Sequence, residues 1–298
     1  MAPCGNIWLM PSRPVFLALL LLWFAALGWQ FAVVAWPVLR AGDPPGAGIS
    51  LSDETTASAP ARYRVFYNGQ EIALARLQLT HQPATETFQS LAEFTTLGLK
   101  ANNTPSKASI LGASWLPAKS SLDMDRSGQP QAASAQVKIP TGEVNTTLIR
   151  QGGNLIGSKT IQLAATGDTP LPAQPLTISI GEGRAVLGML LPSWRWNGLR
   201  PGQRWSARLL DPLADSLLPA NQAHSGQGVA CEVAALLEIP PEVTKETECW
   251  KIMATREDLQ ITVWAAVQGG KVMRQEVKIG SGNGADLWVL IREDLLPS

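Results

Sequence analysis

The chain has 298 residues, 24 Lys plus Arg against 24 Asp plus Glu, and charged side chains at only 16% of positions. There is no basic surplus to grip a phosphate backbone and no acidic surplus to solvate a disordered tail, so nucleic acid is not an expected partner. The 26 Gly and 22 Pro suit many short strands joined by turns, and the length admits one large or two small domains.

Taken in chain order, a short cytoplasmic N-terminus at 1–14 is expected to precede a transmembrane anchor at 15–39. No charge interrupts VFLALLLLWFAALGWQFAVVAWPVL between Val15 and Leu39. At about 1.5 Å per residue the run would reach about 37 Å, more than the roughly 30 Å of a hydrocarbon core. A cleaved signal peptide is the competing reading, but its apolar region should be shorter, and Trp36-Pro37 is a poor context after the small-residue site at Ala35. Arg13 and Arg40 flank the run and leave its orientation undecided by charge. The expectation is a single-pass protein of a bacterial inner membrane, its membrane contact made by the N-terminal helix and its C-terminal domain extracytoplasmic. Cys4, ahead of the apolar run, reads as an ordinary thiol.

Residues 40–61, with Pro, Gly, Ser, Ala and Thr and almost no large apolar side chain, read as a flexible linker. A β-rich domain is expected over 62–298. It opens with a hairpin: Tyr63, Val65 and Tyr67 alternate with Arg62, Arg64 and Phe66, and Asn68-Gly69 tolerates the positive φ of a type I′ turn before Ile72 to Leu79. The pattern at Ser90 to Lys100 fits either a short helix or a strand. Trp115 to Met124, Ala135 to Ile139, Val144 to Arg150 and Leu155 to Leu163 then read as a meander. Further strands are expected at Leu176 to Ile180, Arg184 to Leu191, Arg204 to Leu210, Val229 to Ile239, Cys249 to Ala254, Gln260 to Val267, Lys271 to Ile279 and Leu287 to Ile291. A short helix is expected near Asp211 to Leu218. The fold class is mainly β: a transmembrane helix followed by a large curled antiparallel sheet, half-barrel-like, with few short helices.

The residues for chemistry are sparse. The two histidines, His81 and His224, fall in or beside expected turns, and no His-Glu-x-x-His, Cys-x-x-Cys or calcium-loop pattern exists, so no metal and no cofactor is expected. Gly181-Glu182-Gly183 and the run Gly280 to Gly284 lack the companions of a phosphate loop or nucleophile elbow and read as turns. Cys231, His224 and Asp215 have the residue types of a nucleophile, base and orienter, but triads are recognised by geometry and coincidence explains them better. Cys231 and Cys249, eighteen positions apart, are expected as a disulfide contributing about 3 kcal/mol, two buried thiols being the alternative. Trp194-Arg195-Trp196 with Arg200, Arg204, Trp205 and Arg208 is the most distinctive cluster. Packing is the simpler use for such indoles, and Trp194, Trp196, Arg200 and Trp205 are the candidates for contact with a ligand or partner. The triplets at Asn102-Asn103-Thr104 and Asn145-Thr146-Thr147 carry no functional weight.

The stretch Tyr63 to Leu79 resembles the opening hairpin of bacterial membrane-anchored envelope proteins of unknown function. Leu199 to Leu213 and Cys249 to Val277 are similar to later strands of that group. The resemblance implies the curled antiparallel half-barrel of lipoprotein-localisation carriers, and it transfers no catalytic residue. Three functions follow as expectations: a non-catalytic module binding an envelope partner protein or a lipid-like apolar ligand; an envelope hydrolase or transferase using carboxylates or Cys231; and an assembly subunit of a secretion or transport complex.

Overall fold

The computed structural model describes residues 13–30, 60–97, 117–139, 142–163, 171–181, 186–188, 195–217, 226–241, 248–280 and 285–295. The chain divides into two compact units, Met1–Gly42 and Asp43–Ser298.

The first unit contains helix α1 (Arg13–Gln30). Its apolar stretch runs from Val15 to Trp29 and measures about 22 Å at the α-helical rise, short of the roughly 30 Å of a hydrocarbon core. The single-pass arrangement, with its anchor at 15–39 and exported C-terminal domain, is therefore corrected: among the described residues no helix is long and apolar enough to cross a membrane. Residues 31–39 lie outside the described residues, as do 40–59 of the linker; Ala61 already belongs to the first strand.

The second unit is built on one 15-stranded sheet. Its strands are β1 (Ala61–Tyr67), β2 (Gln70–Gln82), β3 (Thr87–Thr96), β4 (Ala118–Met124), β5 (Pro130–Ile139), β6 (Gly142–Gln151), β7 (Asn154–Leu163), β8 (Gln174–Ser179), β9 (Val186–Leu187), β10 (Arg204–Leu209), β11 (Gly228–Glu238), β12 (Cys249–Arg256), β13 (Leu259–Ala266), β14 (Val272–Ile279) and β15 (Asp286–Arg292). Helix α2 (Pro212–Leu217) follows β10. The first eight strands form one meander and β9 to β15 another, and the two are joined where β1 pairs with β15. Every pairing is antiparallel except the short one between β9 and β10.

The opening hairpin forms as its sequence demands: Asn68 and Gly69 have φ of 47° and 82°, and Tyr67 faces Gln70 across a two-residue turn. The ambiguous stretch after Ser90 is strand because β2 and β4 pair with both its edges; long-range pairing, which no local pattern carries, decided it. Of the strand expected at Arg184 to Leu191, the described residues include Val186–Leu187 as β9; 184, 185 and 189–191 lie outside the described residues.

Topology forces the sheet to bend. Its edge strands β8 and β9 are consecutive in the chain, and the link from Ile180 to Val186 spans at most about 21 Å. A flat sheet of this many strands would be about 67 Å across. The edges accordingly approach: a Cβ on Gly226, in the turn between β10 and β11, would stand 2.7 Å from the Ser179 carbonyl oxygen of β8. Arg208 of β10 donates from Nη1 to the Gly226 carbonyl at 2.8 Å. Leu210 enters a cluster with Ala133, Leu148, Leu155, Ile178 and Ile180 of the opposite half. Among the described residues no β8–β9 ladder closes the sheet.

The inner face carries the main core, from Tyr63, Val65 and Tyr67 through Leu77, Phe94 and Val137 to Trp205, Val233, Ile252, Ile261 and Trp288. Helix α2 packs against β4, β5 and β6; it buries Leu213 in that core, and its Ser216 hydroxyl bridges the Pro212 carbonyl (2.6 Å) and the Thr146 hydroxyl (2.8 Å). Two tyrosines cross-link the centre. The Tyr63 hydroxyl donates to the Val272 carbonyl at 2.9 Å, and the Tyr67 ring lies 4.5 Å from that of Trp288 while its hydroxyl donates to Asp286. Burial is the main cause that pushes both phenols up to about 12.

Candidate functional site

The cysteines are not joined. Cys231 faces Ala254 on the neighbouring strand whereas Cys249 faces Glu238, seven positions from Cys231 along β11, and the two belong to clusters on opposite faces of the sheet. A bridge needs Cα atoms within about 7 Å, so the expected disulfide is corrected: both are buried thiols. Burial pushes each up to about 12, which leaves almost no thiolate near neutral pH and makes Cys231 a poor nucleophile. Of its proposed companions, His224 and the side chain of Asp215 lie outside the described residues. His81 stacks its ring 4.9 Å from that of Phe88.

The tryptophan–arginine cluster separates into parts. Trp194 lies outside the described residues. Trp196 and Trp205 are buried in the core with ring centroids 5.7 Å apart, so they pack, as indoles on strands usually do. Arg200 is exposed and shapes the turn into β10: its N–H donates to Gln203 Oε1, and Gln203 N–H returns to its carbonyl, both at 3.1 Å. The guanidinium–indole stacking occurs elsewhere, on the outer face, where Lys251, Trp264 and Arg274 stand in one cross-strand row. Lys251 Nζ and Arg274 Cζ lie 5.6 and 5.4 Å from the Trp264 ring. Arg274 also donates to the Pro241 carbonyl at 3.1 Å, tying the end of β11 across that row.

What the sequence did not reveal is a rim where the inner face runs out into solvent. Leu237 faces Trp250, which faces Ala265, and both of these pack in or against the core. Side chains two residues along a strand share a face, so Ile239, Glu248 and Val267 extend that face past the strand ends. Val267 N–H donates to the Glu248 carbonyl at 3.2 Å, continuing the ladder. Ile239 is 52% exposed, Val267 45% and Leu237 36%. Glu248 is exposed between them.

The backbone of Trp196 meets the β13–β14 turn at the same end of the sheet, while Trp205 stands opposite Cys231, deeper in the sheet. Trp196 N–H donates to the Gly270 carbonyl at 2.9 Å, and Arg195 bridges to Lys271 at the start of β14. Gly270 is required there: its φ is 62°, and a Cβ would stand 2.1 Å from the Trp196 carbonyl oxygen. The Nε1 atoms of Trp196 and Trp205 are buried and have no acceptor among the described residues. An exposed apolar row continuous with the core suits recognition of an apolar surface.

A second concavity, an open groove of about 880 Å³, lies at the turns joining β2 to β3 and β4 to β5, lined by Gln82, Glu86, Asp123, Asp125, Arg126 and Gln131 among others. Arg126 pairs with Glu86 across it. Burial pushes the Asp125 carboxyl up, but hydrogen bonds from Ser127, Gln129 and Gln131 outweigh it and hold the group below its ordinary range. These contacts order the turn. No group of three or more His, Cys, Asp or Glu placed to hold a metal occurs among the described residues.

No family model matches this chain, and no curated protein and no solved structure is significantly similar to it. The resemblance drawn on Tyr63 to Leu79 gains nothing from these comparisons, and the functional reading rests on the fold and the rim.

Proposed function

We propose that this protein is a non-catalytic binding module, a half-barrel-like sheet that offers the rim around Ile239, Glu248 and Val267 to an apolar partner protein or ligand. The observation that carries the reading is the continuity of that rim with the core: the same inner-face row that buries Ala265 and packs Trp250 against the core emerges into solvent at Val267 and Ile239. Covering a half-exposed Ile or Val returns about 1 kcal/mol each at 25 cal/mol per Å², so several together supply a usable share of a binding energy. A thiol reaction at Cys231 is disfavoured by its burial in the core and its raised pKa.

Fluorescence of an anilinonaphthalene dye with the full chain tests this. Native protein is expected to bind the dye, and the double variant Ile239→Asp, Val267→Asp to lose a large part of the signal while its unfolding midpoint stays close to native. The difference between the two proteins isolates the rim from the exposed apolar side chains of α1. Equal dye binding by both would remove the rim from consideration.

A further inference from the structure

We infer that the rim is a contact between two copies of this chain, joined about a twofold axis at Val267 with Glu248 of each copy against Lys271 of the other. This rests on the reading of the rim as a binding surface and names its occupant. The order of residues along the rim selects a second copy. Glu248 precedes β12, Val267 follows β13 and Lys271 precedes β14, and these three strands are neighbours in the sheet. The Val267 N–H donates to the Glu248 carbonyl at 3.2 Å, and the Ala266 N–H to the Lys271 carbonyl at 2.9 Å. A carboxylate and an ammonium therefore flank Val267, each displaced by one strand spacing of about 4.8 Å.

A twofold rotation reverses that order. It lays Val267 on its own copy and brings each Glu248 opposite the other chain's Lys271, so a single operation buries an apolar centre and forms two ion pairs around it. Both charges are available for this. Neither has an ion-pair partner among the described residues; Glu248 is exposed and Lys271 half-buried. The nearby Glu238 and Lys251 neutralise one another at 3.1 Å, and Arg195 stands beside Lys271. The rim is thus negative on one side of Val267 and positive on the other, a pattern complementary to itself. Lys271 lies opposite Ala266 of the outer face, and the flexible four-carbon stem of a lysine lets its charge reach past the strand end. Ile239, one strand beyond Glu248, widens the apolar contact. A patch this small stands at the low end of specific interfaces, so the dimer is weak, forming in the micromolar range.

Sedimentation velocity of the full chain, from about 1 μM to about 100 μM, reads the association, and comparison among variants separates the rim from contacts made by the apolar side chains of α1. Native chain is expected to dimerise, and less tightly as salt rises, because the ion pairs lie near solvent. Glu248→Lys and Lys271→Glu each place two like-charge contacts in the dimer and are expected to raise its dissociation constant about tenfold or more. The double variant Glu248→Lys, Lys271→Glu is expected to recover most of the native affinity, and Val267→Asp to leave monomer, all with unfolding midpoints close to native. A native chain that stays monomeric throughout overturns the inference. So does a dimer indifferent to the charge reversals, or one that the double variant fails to restore. The dye comparison with Ile239→Asp, Val267→Asp then judges the binding reading separately: a signal lost in that variant leaves the rim a surface for another occupant, and an equal signal removes the rim altogether.

Discussion

Gly226 lies against Ser179, close enough that an added Cβ would stand 2.7 Å from the Ser179 carbonyl oxygen and 3.0 Å from its nitrogen. One residue belongs to the turn before β11 and the other to the far edge strand β8, so this contact is where the two ends of the sheet meet without a ladder. Gly226 also has φ of 81°, a backbone region that disfavours side chains. Gly226→Ala is therefore expected to destabilise the protein by about 2 kcal/mol or more, read as a lower unfolding midpoint in urea. Gly69→Ala, at a positive φ with open space around it, supplies the strain-only control and should cost less.

The buried hydroxyls and thiols predict weakness at alkaline pH. Cys231, Cys249, Tyr63 and Tyr67 are all raised to about 12 in the folded protein. A group raised on folding contributes stability that is complete below its unfolded pKa, about 8.5 for Cys and 10 for Tyr, and that is lost as pH rises toward the folded value. Denaturant titrations between pH 8 and 11 should show stability falling, and Cys231→Ala should flatten the early part of that slope. An unchanged slope in the variant would contradict the assignment.

Thiol accessibility gives an independent reading of the same residues. In a Cys4→Ser background, native protein should react slowly with a disulfide reagent at pH 8, and denatured protein should release two equivalents without prior reduction, because Cys231 and Cys249 are unjoined. Rapid reaction of one equivalent in the native state would show a thiol that the core does not protect.

Asp125 predicts a response at the acid end. Its carboxylate accepts from Ser127 N–H and Oγ, from Gln129 N–H and from Gln131 Nε2, at 2.6 to 3.0 Å. Its pKa is lowered on folding, so its contribution is complete above the unfolded value of about 3.9 and is lost as pH falls through the folded one. Asp125→Ala should cost about 1 to 3 kcal/mol at pH 7, with the deficit shrinking at acid pH. A pH-independent deficit would mean that the turn depends on shape alone.

How far the sequence disclosed this molecule depended on range. Local chemistry announced the Asn68-Gly69 turn, most strand positions and the helix after Asp211, because φ preferences and alternation act over a few residues. The pairing of β1 with β15 joins residues more than two hundred positions apart, and no local pattern signals it. The rim was hidden for the same reason: Ile239, Glu248 and Val267 are ordinary strand residues until register aligns them. Register likewise decided the cysteines, whose spacing allowed a bridge that pairing forbids. The apolar run from Val15 was legible, and its described part is helix α1 (Arg13–Gln30), which among the described residues is not long and apolar enough to cross a membrane.

The junction of β1 with β15 makes the order of synthesis matter. Eight strands emerge and zip together while the exposed flank of β1 waits for a partner encoded more than two hundred residues later. Non-local closure of this kind slows folding, and an open strand flank invites pairing with another nascent chain. Refolding from denaturant should accordingly be slow and strongly concentration-dependent in yield, and removal of β15 should leave two half-sheets prone to assemble with one another.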